Sequence, residues 1–123
     1  MGCEIKTSQD GKYIIQTITG NLDGKLALEN NLKAHALGQE LGVNRYLVDV
    51  TDSRNVDSAP AAYSFAHFRM KNNPGIDQTA RVATLVKPGD RSHNFIEIIS
   101  RNSGLDVTIF TDRHKAINHL LKD

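Results

Sequence analysis

One cysteine, three prolines and no tryptophan occur in 123 residues, and each scarcity closes off a class of protein. The lone Cys3 cannot form an internal disulfide, which excludes a small scaffold held by disulfides. No apolar run approaches the roughly 20 residues needed to cross a bilayer, and none precedes a small-residue cleavage site, so neither a transmembrane segment nor a secretory signal is expected. Charge of either sign is not in excess either, with 15 Lys+Arg against 14 Asp+Glu and a formal net charge of +1. The basic residues are scattered singly rather than gathered into a stripe, so nucleic acid is not an expected partner. The opening "MGCEIK" has an acylation-like Gly2 and Cys3, but Lys6 stands where the myristoylation pattern takes Ser or Thr. The expectation is a cytoplasmic chain with a reduced Cys3.

What is present fits one soluble globular domain, residues 1–123, with 39% hydrophobic and 24% charged residues. "EIKT" and "KYIIQTITG" flank the turn "SQDGK" and predict a hairpin. "DGKLALENNLKAHALGQELG" predicts a helix capped by Asp23 and stopped at Gly42. Its apolar residues form two lines, Leu26, Leu37 and Leu41 on one side and Leu28, Leu32 and Ala36 on the other. Strand "RYLVDV" follows, then a polar loop, then a helix from about Ala59 through Met70 with Pro60 in its first turn. Strand "RVATLV", helix "HNFIEIISRNSG" with Phe95, Ile98 and Ile99 at i, i+3, i+4 spacing, strand "VTIF" and a last helix complete the chain. That last helix is expected to start at Thr111 or Asp112 and to bury Ala116, Ile117, Leu120 and Leu121.

The order β-β-α-β-α-β-α-β-α predicts an α/β fold with an N-terminal hairpin and then parallel β-α units. Gln16, Asp49, Thr84 and Thr108 interrupt otherwise apolar strands. A sheet covered on both faces carries near-continuous apolar strands, so these interruptions predict one partly uncovered face.

The densest polar stretch is "VDVTDSRNVDSAP", which gathers Asp49, Asp52, Ser53, Arg54, Asp57 and Ser58 between a strand and a helix. Together with "YLVDV", "RVATLV" and the ending "VTIFTDRHKAINHLLK", it resembles the SpoIIAA-like superfamily. That superfamily includes the STAS domains of anti-sigma-factor antagonists and is akin to the lipid-binding CRAL-TRIO fold. The chain looks closest to its stand-alone, poorly characterised bacterial branch. The resemblance implies a mixed sheet with helices mainly on one face. It also implies a regulatory phosphorylation at Ser58, preceded by Asp57, although Ala59 and Pro60 replace the small residue and Gly that follow in the regulators. The physical alternative is that Ser58 or Asp57 caps the next helix, the commoner use of such residues there.

Enzyme chemistry finds less support. Asp49 lies at the carboxyl end of a strand, where α/β proteins hold ligands, and "VKPGD" is similar to the Lys-Pro pair of receiver domains. The acidic pair of a receiver is missing, and Thr51 stands where a dehalogenase-type phosphotransferase needs a second Asp. His35, His67, His93, His114 and His119 show no metal-ligand spacing, and a Ser58–His67–Asp49 triad has no nucleophile elbow behind it. No catalytic residue, metal or cofactor is therefore expected. Tyr63 and Met70, opposite the Phe65 and Phe68 line, mark an expected interface edge. The leading expectation is a non-enzymatic protein-interaction or regulatory domain, paired as a homodimer. The alternative is a binder of a small apolar molecule or lipid, or an unrecognised enzyme, using Asp49, Arg54 and Asp57 as polar contacts.

Overall fold

Ser8 and Asp10 tie the first turn: the Ser8 hydroxyl donates to Asp10 Oδ1 at 2.6 Å and accepts from the amides of Lys12 and Tyr13. Gly11 turns the chain at φ 72°, in the left-handed region that favours glycine. The turn joins β1 (Gly2–Thr7) to β2 (Ile14–Leu22) as an antiparallel pair, the expected hairpin. The computed structural model describes residues 2–56, 74–102 and 104–122. The expected helix from Ala59 to Met70 lies outside these residues.

Helix α1 (Gly24–Leu41) starts where Asp23 accepts the Leu26 amide and stops at Gly42, φ 72°. It leads to β3 (Arg45–Asn55), parallel to β2. β4 (Arg81–Leu85), α2 (Asn94–Asn102), β5 (Asp106–Phe110) and α3 (Arg113–Leu121) follow. The sheet order is β1-β2-β3-β4-β5, with every pair after the first parallel. Asp112 caps α3 by accepting the His114 and Lys115 amides.

The two faces have separate cores. Ala116 and Leu120 of α3 pack on Leu47, Ala83 and Leu85. On the opposite face, Ala34 of α1 packs with Ile14 and Tyr46, and Ile18, Leu22, Val50 and Val86 form a neighbouring cluster with Leu26 and Ala27. Ile14, Ile18 and Leu47 are at most 2% exposed, and each such side chain contributes about 1.5–3 kcal/mol on burial. Among the described residues, α1 and α2 lie on this second face and α3 lies on the first. On the α3 face, β1 and β2 carry Glu4, Lys6, Thr17 and Thr19, none of them buried.

Three expectations need correction. Strand β3 does not end at Val50 but continues through Asn55, because a bulge lets it keep pairing: Thr17 faces Asp49, Thr19 faces Asp52 and Leu22 faces Asn55. On α1, Leu41 is 50% exposed and Ala36 is exposed, while Asn30, Ala34, His35 and Gly38 are buried. The reason is close approach, since a Cβ on Gly38 would lie 2.1 Å from Tyr46 Oη; small residues face the sheet and the leucines flank them. On α2, Ile98 is 55% exposed, and His93, Glu97 and Ser100 border the interior instead.

Candidate ligand-binding cavity

Between α1, α2 and the sheet lies a cavity of about 100 Å³. Its floor is apolar, with Ile18, Val48, Val50, Val82, Val107 and Ile109. Strand alternation puts them there together with Gln16 and Thr84, which share their face. Two of the polar interruptions that predict an uncovered face are therefore turned towards the helices. Asp49 and Thr108 belong to the α3 face.

Helix α1 lines the cavity with Ala27, Asn31 and His35, four residues apart and so on one side of the helix. His93, just before α2, and Glu97 and Ser100 within it line the cavity in the same way. Gln16 is 1% exposed and its amide donates to Asn31 Oδ1 at 3.3 Å. His35 is 4% exposed and stacks on Tyr46, with ring centroids 4.3 Å apart and planes 4° from parallel. Its Nδ1 accepts the Asp77 amide at 2.9 Å, which assigns the ring proton to Nε2. Burial pushes the His35 pKa down to about 4 against the opposing pull of Asp77, and burial raises that of Tyr46 to about 12. His93 is also 4% exposed; its Nε2 lies 3.4 Å from the Ser53 carbonyl and 3.7 Å from the Asp90 carboxylate, and burial lowers its pKa. Glu97 Oε2 accepts the amide of Ile109, on the edge strand β5. The arrangement is an apolar floor rimmed by neutral imidazoles, amides, hydroxyls and the carboxylates of Asp23 and Glu97.

The residues singled out in the sequence sit elsewhere. Asp49 is 7% exposed on the α3 face, and both its oxygens are engaged. Oδ1 accepts the amide and hydroxyl of Thr51 at 3.0 and 2.7 Å, and Oδ2 accepts from Arg113. The carboxylate thus braces β3 to the start of α3. Asp52 is exposed opposite Thr19, and Arg54 is exposed opposite Asn21. Ser53 is buried and donates to the Gly20 carbonyl at 2.8 Å. Asp57, Ser58, Tyr63 and Met70 lie outside the described residues, as does His67. Among the described residues no group of three or more His, Cys, Asp or Glu is arranged to hold a metal ion, and no helix is long and apolar enough to cross a membrane.

Sequence reasoning missed Gln16, Asn31, His35, Glu97 and Ser100 as a group. The available signal was a glutamine inside "IIQTI" and polar residues repeating every three or four positions on the inward side of two helices.

An uncharacterised protein of the DUF3478 family from Shewanella loihica, which has a SpoIIAA-like fold, matches this structure at a TM-score of 0.58. The match covers 97% of this chain and 92% of that one, at 20% identity. An anti-sigma-factor antagonist STAS domain from Rhodobacter sphaeroides matches over 98% and 91%, at 15% identity and a TM-score of 0.36. No family model and no curated protein matches the sequence. The fold is SpoIIAA-like, as the resemblance carried by "YLVDV" and "VTIFTDRHKAINHLLK" implies.

Proposed function

We propose that this domain binds a small molecule in the cavity between α1, α2 and the sheet, without transforming it. The observation that carries the reading is the burial of Gln16, His35 and His93, each at most 4% exposed, around one cavity with an apolar floor. Polar groups on the covered face of a sheet cost free energy that a packed apolar core avoids, so their convergence favours recognition. At about 100 Å³ the cavity is below the roughly 150 Å³ of a protein cavity that holds benzene. The size suits a molecule smaller than a benzene ring and disfavours the long acyl chain of a lipid. The test is a thermal-shift screen of compounds smaller than benzene against the wild type and Ala27→Leu, which fills the cavity. A ligand at ten times its Kd adds about 1.4 kcal/mol, a rise in Tm of roughly 5 °C. Loss of that rise in a folded Ala27→Leu supports the reading, and an equal rise in both proteins ends it.

A second reading, a protein-interaction domain acting through residues 49–58 and the segment beyond, is favoured by the exposure of Asp52 and Arg54 at the end of β3. Pairing of two copies is proposed with it, supported by exposed Val56 and Ile98 at 54% and 55%. Sedimentation of the wild type and Ile98→Glu tests the pairing; a wild-type monomer ends it.

A further inference from the structure

We infer that the molecule bound in this cavity carries a protonated amine on a small apolar body. The inference rests on the cavity being a binding site and adds the charge of its occupant. Among the described residues, the lining includes the carboxylates of Asp23 and Glu97 and no lysine or arginine. Asp23 is exposed and already accepts the Leu26 amide as the cap of α1. Glu97 is the carboxylate left to meet a ligand. Its Oε2 holds the Ile109 amide, and among the described residues no lysine, arginine or histidine nitrogen lies within ion-pair distance of either oxygen.

The two imidazoles do not change this balance. Nδ1 of His35 is an acceptor for the Asp77 amide and the ring is buried, so it is neutral at pH 7. His93 is driven the same way by its burial. A carboxylate or phosphate entering the cavity would meet Glu97 with no lysine or arginine in the described lining to offset it, Arg54 acting only on His93 and Asp90 at the rim, in surroundings that strengthen repulsion. An ammonium would pair with Glu97, and its three N–H donors find further acceptors in the hydroxyls of Ser100, one turn along α2, and Thr84, on the floor. Val48, Val82 and Val107 offer the apolar surface for the rest of the molecule.

The experiment compares propylamine, 1-propanol and propionate, similar in size and differing in charge, titrated at pH 7 into the wild type and Glu97→Gln and followed by amide chemical shifts. Glutamine keeps an oxygen for the Ile109 amide, so the variant retains the edge contact. Propylamine is expected to bind at least ten-fold more tightly than 1-propanol, with propionate weakest. In Glu97→Gln the amine should fall to the level of the alcohol while alcohol binding is unchanged. Propionate binding as tightly as the amine, alcohol binding equal to the amine, or an amine preference that survives in Glu97→Gln overturns the charge inference and leaves the cavity reading standing. If none of the three perturbs cavity residues, both fail.

Discussion

The imidazole of His35 lies flat on the phenol ring of Tyr46, 4.3 Å between centroids, and so couples α1 to the third strand of the sheet. The same imidazole accepts the Asp77 amide, so one buried side chain ties helix, strand and the turn before β4 together.

This arrangement makes stability depend on pH in a defined direction. The folded-state pKa of His35 is lowered from 6.5 to about 4, so the unfolded chain binds the proton more readily. Its contribution is fully present above pH 6.5 and is lost as the pH falls towards 4. The loss approaches roughly 3 kcal/mol in total, with roughly 2 kcal/mol gone by pH 5. Urea denaturation at pH 7 and pH 5 is expected to show a fall larger in the wild type than in His35→Gln by about that amount; equal falls would refute the assignment.

Gly38 is expected to behave opposite to an ordinary helical glycine. Alanine there usually stabilises a helix by up to about 1 kcal/mol, but here the added Cβ would lie 2.1 Å from Tyr46 Oη and 2.7 Å from the Val43 carbonyl oxygen. Gly38→Ala should cost about 2 kcal/mol or more, by the scale of overpacked sites. Because the backbone carbonyl clash persists, Tyr46→Phe in the same chain should recover only part of the loss. Denaturation midpoints of the three variants measure both effects.

The Asp49–Arg113 pair joins the middle of β3 to the start of α3, with the arginine half exposed and the carboxylate largely covered. Arg113→Ala should cost about 1 kcal/mol. Asp49→Ala should cost more, because the Thr51 amide and hydroxyl lose their shared acceptor as well. A double-mutant cycle should return a coupling of about 1 kcal/mol or less, and a cycle showing no coupling would mean the pair does not brace the two elements.

Arg81 donates from Nη1 to the carbonyls of His119 and Lys122, and at the limit of hydrogen-bond distance to that of Leu120, at the C-terminal end of α3. These carbonyls have no intrahelical partner, and a cation there also meets the negative end of the dipole. Arg81→Met should destabilise by about 1–2 kcal/mol, and hydrogen exchange should speed up in α3 before it does in the sheet. Uniform acceleration across the domain would argue against a local cap.

Local chemistry made much of the fold legible. The "SQDGK" turn, the Asp23 and Asp112 caps, the glycine stops at 42 and 104 and the parallel β-α order depend on interactions within a few residues, or on the short connections between them. The site was not legible by the same means. Whether Gln16 faces water or helix depends on which side of the sheet α1 covers, and whether Asp52 belongs to a loop or a strand depends on a bulge that keeps β3 paired with β2.

Composition and period thus determined the α/β order, the hairpin and the helix ends at Asp23, Gly42 and Asp112, because each is encoded by neighbours in the chain. Only the tertiary structure decided that Asp49 is an internal brace and that Gln16, His35, His93 and Glu97 converge. Convergence of residues up to 81 positions apart follows from how two helices lie across one sheet face, and no local pattern carries that information.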